Sequence, residues 1–149
     1  MIKIMFVCLG NICRSTMAEY VMKHMVKERG ISDEFYITSS ATSHEEIGNP
    51  VHYGTRNKLS EQGIYCGDHR AVQLAKADMD KYDYIIGMDQ RNIHNIYRIF
   101  GIECKKVCRL LDFTKNPRDI ADPWYTGNFD KTFDDVTEGC KALLSHLGY

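Results

Sequence analysis

An excess of charge of either sign is the first thing this sequence lacks. Lysine plus arginine number 19 and aspartate plus glutamate 20, giving a net charge of −1. A broad nucleic-acid footprint shows as a strong basic excess, so nucleic acid is not an expected partner. Long apolar runs are missing too, and no stretch is long enough to span a bilayer. The apolar start, Ile2 to Leu9, gives way to Gly10 and Asn11 and has neither the basic flank nor the small-residue cleavage site of a secretory leader. A cytoplasmic protein without a membrane partner is expected. The sequence shows no internal repeat, low-complexity tract or interdomain linker, so residues 1–149 read as one domain.

Metal and disulfide patterns are also absent. The 6 cysteines are Cys8, Cys13, Cys66, Cys104, Cys108 and Cys140. Without a secretion signal, free thiols are the default. Cys104 and Cys108 are closely spaced but have no histidines at zinc-site spacing, so thiol packing is expected there rather than metal. No cofactor is expected. What is present is an ordinary soluble composition, 44% hydrophobic and 26% charged, in a chain long enough to bury a core.

Ile2 to Cys8 is an apolar run broken only by Lys3, and reads as a buried parallel strand. From Ser15 to Glu28, Met17, Ala18, Val21, Met22, Met25 and Val26 recur at helical spacing, and Gly30 stands at a cap position. Phe35 to Ser40 reads as a second strand, followed by a loop over Ala41 to Gly54. Thr55 to Gln62 and Val72 to Ala77 read as short helices. Tyr82 to Met88 is a third strand, Ile93 to Phe100 a helix face, and Lys106 to Leu111 a fourth strand. Asp112 to Asn128 reads as a long loop, of the kind that is usually functional or disordered. Phe133, Val136, Cys140, Leu143, Leu144 and Leu147 form the stripe of a C-terminal helix. Strands alternating with helices predict an α/β domain of three layers, with a parallel sheet between helices. Ligands of such sheets bind outside the carboxyl ends of the strands.

Cys8-Leu9-Gly10-Asn11-Ile12-Cys13-Arg14-Ser15 falls at such a place, between the first strand and a helix N-terminus. Unpaired backbone N–H groups and the positive end of the helix dipole make that junction an anion cradle. Gly10 and Asn11 tolerate the positive φ of a tight loop. The same surroundings favour the thiolate form of a cysteine, which is the nucleophile. Arg14 can fork two N–H groups onto phosphate oxygens. Ser15 can donate its hydroxyl to the sulfur.

At these residues the sequence resembles the low-molecular-weight protein tyrosine phosphatases. The family signature stands here as Val7 to Ser15 followed by Met17-Ala18-Glu19, with Thr16 where the family commonly has proline. A distant second match is Asp122-Pro123-Trp124-Tyr125, and the resemblance covers essentially the whole chain. It implies a four-stranded parallel sheet in the order 2-1-3-4. It implies that Cys8 attacks phosphorus, that Arg14 clamps the phosphate with the loop amides of Leu9 to Cys13, and that Asp122 is the general acid. Trp124 and Tyr125 then flank the substrate ring. Ser39 and His69 fall where the family hydrogen-bonds its loop asparagine, here Asn11. Glu45, beside His44 and Glu46, stands where the family often has an aromatic pocket residue, and acid there repels acidic peptides.

The implied substrate is a phosphotyrosine-containing protein or peptide, with inorganic phosphate as product and inhibitor and a monomer, or at most a weak dimer, as the acting species. The implied partner of Cys8 under oxidation is Cys13. Asp112 and Asp119 share the loop of Asp122 and compete for the acid role. An arsenate reductase would need further cysteines near the third strand, and Gly87 to His94 contains none. A phosphate- or phosphopeptide-binding module without turnover would need neither Cys8 nor Asp122. A phosphoarginine enzyme of the family tends to have threonine where Ile12 stands.

Overall fold

Residues 1–149 are described by a computed structural model. Its centre is β1 (Ile2–Cys8), flanked by β2 (Phe35–Ala41) and β3 (Tyr84–Gly87), with β4 (Val107–Arg109) beyond β3. All pairings are parallel and the order is β2-β1-β3-β4, as the family resemblance implied.

The side chains of β1 alternate between two cores. Ile4, Phe6 and Cys8 face a large cluster with Met17, Val21 and Met22 of α1 (Arg14–Glu28) and Val136, Cys140 and Leu143 of α6 (Phe129–His146). Met5 and Val7 face a smaller cluster with Ile93, Ile96 and Phe100 of α4 (Gln90–Phe100). Both faces of the strand are covered, which is why the run is apolar throughout rather than alternating. Short helices α2 (Tyr53–Glu61), α3 (Asp78–Lys81) and α5 (Pro123–Thr126) complete the set. Because β2 lies on one side of β1 and β3 on the other, the chain winds both ways from β1. The carboxyl end of β1 is thus the switch point where an α/β sheet opens a crevice.

Three sequence readings need correction. Val72 to Ala77 is not a helix: Gln73 forms an isolated parallel bridge with Ala41, and Lys76 and Ala77 turn into α3. Its backbone is engaged elsewhere: Val72 C=O accepts from Ala41 N, Leu74 N donates to Ala41 C=O, and Val72 N donates to Asn11 Oδ1. A helix would withdraw those groups. The fourth strand is shorter than expected, because Leu110–Phe113 turns into a 3₁₀ helix that buries Leu110 and Leu111. Gly139 of α6 permits this, since a Cβ there would lie 2.4 Å from Leu110 Cγ. The expected loop Asp112 to Asn128 also contains α5, with Asp122 as its N-cap and Pro123 at its first position.

Candidate active site

The loop from Cys8 to Ser15 wraps the end of β1 onto the start of α1. Ser15 Oγ is 3.0 Å from Cys8 Sγ, and the backbone N–H groups of Asn11 and Ser15 reach the sulfur at 3.3 and 3.5 Å. Ser15 Oγ accepts from Asn11 Nδ2 at 2.8 Å. Its own proton is therefore free to point at sulfur. Donors converging on one sulfur stabilise negative charge there.

Asn11 holds the loop. It has φ 57°, a positive value found at no other non-glycine residue of the chain. Its side chain donates to Ser15 and to Ser39 Oγ (2.9 Å), and Oδ1 accepts from Val72 N and meets His69 Nε2, both at 3.1 Å. An amide offers two donors and two acceptor sites, and all are used. His69 must present Nε2–H to this oxygen. Behind the asparagine, Ser39 Oγ donates to Glu19 Oε1 at 2.5 Å, and Lys23 meets Glu19 Oε2 at 2.5 Å. Burial lowers the pKa of His69 against the opposing pull of Glu19, and keeps its ring neutral.

Gly10 does not adopt positive φ. Its lack of a side chain serves space instead: a Cβ would lie 3.2 Å from Glu46 Cγ. Glu46 packs over the loop there, and Asn49 Nδ2 donates to its carboxylate at 2.6 Å.

Arg14 is buried and fixed from outside the loop. Nη1 donates to Asp89 Oδ2 at 2.7 Å and to Ile120 C=O at 2.8 Å, while Nη2 lies 3.5 Å from Asp122 Oδ2. Burial works against its charge, but Cys8, Asp89 and Asp122 outweigh it and hold Arg14 cationic. Arg14 Nε is buried with no partner inside the protein, a donor that an anion in the cradle would satisfy. Asp122 Oδ1 accepts from Trp124 N at 3.0 Å, which leaves Oδ2 toward Arg14.

One cleft gathers Cys8, Leu9, Gly10, Ile12, Cys13 and Arg14 of the loop with Asp122 and the exposed Glu45, Trp124 and Tyr125. Ser43 and Glu46 line it as well. The side chains of Asn11, Ser15, Ser39 and His69 work from behind the loop. Cys13 is a neutral thiol, pushed up to about 12 by burial and then by the charges of Cys8 and Asp122. The rival acids lie elsewhere: Asp112 and Asp119 are both paired with Arg109.

The chain matches the family model described as low molecular weight phosphotyrosine protein phosphatase over residues 3–149. The chain belongs to this family. It is 37% identical to the low molecular weight protein-tyrosine-phosphatase YfkJ of Bacillus subtilis, covering 99% of this chain and 96% of that one. Identity to the low molecular weight protein-tyrosine-phosphatase PtpA of Staphylococcus epidermidis is 40%, over 99% and 94% of the two chains. The crystal structure of YfkJ superposes with a TM-score of 0.96 over 99% of this chain and 95% of that one. The phosphatase fold and enzyme class are thereby established.

Residues outside the expected set also build this phosphatase site. Asp89 stands at the end of β3 as the N-cap of α4, and a carboxylate four residues before the buried face of a helix is a visible capping signal. His52 gave no such signal. Its N–H donates to Ile12 C=O at 2.9 Å. Its ring stacks on Tyr53 and Phe129, with centroids at 4.4 and 5.4 Å, and meets the edge of Trp124 at 5.4 Å. That aromatic group ties one wall of the mouth to the cradle.

Proposed function

We propose that this phosphatase hydrolyses phosphotyrosine in proteins through a cysteinyl-phosphate intermediate. The observation that carries the reading is the placement of the Cys8 sulfur, the Arg14 guanidinium and the Asp122 carboxylate in one cleft. Phosphate occupies the amide cradle and takes up the free Arg14 Nε–H. Cys8 forms an S–P bond as the P–O bond to the phenol breaks, and Asp122 gives the departing oxygen its proton. Arg14 and the loop amides stabilise the equatorial oxygens. Water then attacks phosphorus, Asp122 takes its proton, the S–P bond breaks and the thiolate returns. Ser15 O–H helps the sulfur leave.

Leu9, Ile12, Trp124 and Tyr125 give the cleft apolar walls suited to an aryl group. Glu45 and Glu46 place acid at the mouth, with no lysine or second arginine lining it. Phosphotyrosine flanked by basic residues is thus the favoured peptide. Inorganic phosphate competes as product. Cys13 lines the same cleft and serves as the resolving thiol when Cys8 is oxidised. No helix is long and apolar enough to cross a membrane. The proposed acting species is a cytoplasmic monomer.

Hydrolysis of p-nitrophenyl phosphate with EDTA, for wild type, Cys8→Ser and Asp122→Asn, tests this. Wild type turns over without metal, Cys8→Ser is inactive, and Asp122→Asn is slower by about 10²–10⁴-fold. Substantial activity in Cys8→Ser, or loss of wild-type activity in EDTA, refutes the thiolate mechanism.

A further inference from the structure

We propose that Asp119 and Arg109 are positioning residues that fasten the Asp122 loop against Arg14. The proposal rests on Asp122 being the general acid. The loop leaves β4 and must cross the carboxyl end of β3 before Asp122 reaches the cleft. It is thinly attached. Between Lys115 and Ala121 its sole backbone–backbone hydrogen bond runs from Ile120 N to Met88 C=O.

Side chains supply the rest. Asp119 Oδ1 accepts from Gln90 N at 2.9 Å, at the first turn of α4, and from Arg109 Nη1 at 3.0 Å. Arg109 also holds Asp112, with Nε to Oδ1 at 3.0 Å and Nη2 to the same oxygen at 2.8 Å. One guanidinium therefore draws the start of the loop and residue 119 together at the end of β4. Asp119 adjoins Ile120, whose carbonyl takes a hydrogen bond from Arg14. Beyond it, Asp122 meets Arg14 Nη2 at 3.5 Å and accepts from Trp124 N at 3.0 Å. On the other side of Asp119, Arg118 ties the loop to Asp135 and Glu138 of α6, away from the cleft.

Asp119 has a side chain 53% exposed, so the pair contributes little to global stability. Its effect falls on where the Asp122 carboxyl sits. Proton transfer requires reach of about 2.6–3.2 Å, and a misplacement of about 1 Å can slow a reaction a hundredfold.

The test compares kcat/KM for phenyl phosphate, whose leaving group must be protonated, with 2,4-dinitrophenyl phosphate, whose leaving group departs as a stable anion. Variants are Asp119→Ala, the milder Asp119→Asn, Arg109→Gln and Asp122→Asn. Loss of position in Asp119→Ala and Arg109→Gln slows phenyl phosphate about tenfold and dinitrophenyl phosphate less than about twofold. Asp119→Asn keeps an acceptor for Gln90 N and falls between wild type and Asp119→Ala. Equal losses on both substrates, or no loss on phenyl phosphate, overturn the positioning role when Asp122→Asn is itself selective. If Asp122→Asn slows both substrates equally, the acid assignment fails and the proposal falls with it.

Discussion

Arg14 Nη1 and Asp89 Oδ2 stand 2.7 Å apart, with the arginine side chain 3% exposed. The other oxygen of Asp89 accepts from Asn92 N at 2.8 Å and caps α4. A single carboxylate thus sets the aim of the Arg14 guanidinium and the start of a helix. Asp89→Ala loses a cap and leaves a nearly buried cation short of its partner. We expect a loss of about 2–4 kcal/mol and a fall in Tm of about 5–10 °C. Phosphate inhibition should weaken at the same time. Asp89→Asn keeps an acceptor for Asn92 and should lose less Tm. Calorimetry with phosphate titration measures both.

Gly54 sits in α2 under the ring of Phe129, where a Cβ would lie 2.3 Å from Cζ. Alanine gains about 1 kcal/mol of helix propensity there, and overpacking costs about 1–3 kcal/mol. Crowding wins, so Gly54→Ala should be less stable by about 1 kcal/mol. The displaced ring disturbs His52 and the edge of Trp124. Trp124 is the only tryptophan, so its emission spectrum reports the change directly.

His69 is held below its ordinary value of 6.5, chiefly by burial. In the unfolded chain it takes a proton more readily than in the folded one. The stability due to neutral His69 is therefore complete above about pH 6.5 and is lost as pH falls through the lower folded value. Urea unfolding of wild type and His69→Gln at pH 7.5 and 5.5 measures it. The difference between the two proteins should shrink at the lower pH.

The acid rim predicts a preference among phosphotyrosine peptides. A lysine beside the phosphotyrosine should raise kcat/KM over a glutamate by about threefold to tenfold, through KM, at low salt. The double variant Glu45→Gln, Glu46→Gln should erase most of that ratio, and so should about 0.5 M salt. A ratio that survives both would place the selectivity elsewhere.

The cradle and β1 were legible because they are contiguous. A two-sided apolar strand, a Gly-Asn break and a helical stripe lie within Ile2 to Glu28. Asp122 was legible because Pro123 and the aromatic pair mark it. Asp89, His52 and the Arg109–Asp119 pair act only once distant segments meet, and no local pattern announces that meeting. Val72 to Ala77 misled for a related reason. Its spacing allows a helix, but its N–H and C=O groups are committed to Asn11 and Ala41. Gly10 looked like a turn residue, whereas the stem of Glu46 explains it.

The saturated amide of Asn11 also bears on how this enzyme ages. Asparagine deamidates when its side-chain carbonyl carbon swings onto the next backbone nitrogen. Here Ser15, Ser39, His69 and Val72 hold the amide at both ends, and the residue is 0% exposed. An aspartate in its place could not donate to either serine, so one such event would retire the molecule. The bonds that shape the cradle therefore also guard Asn11 against that reaction.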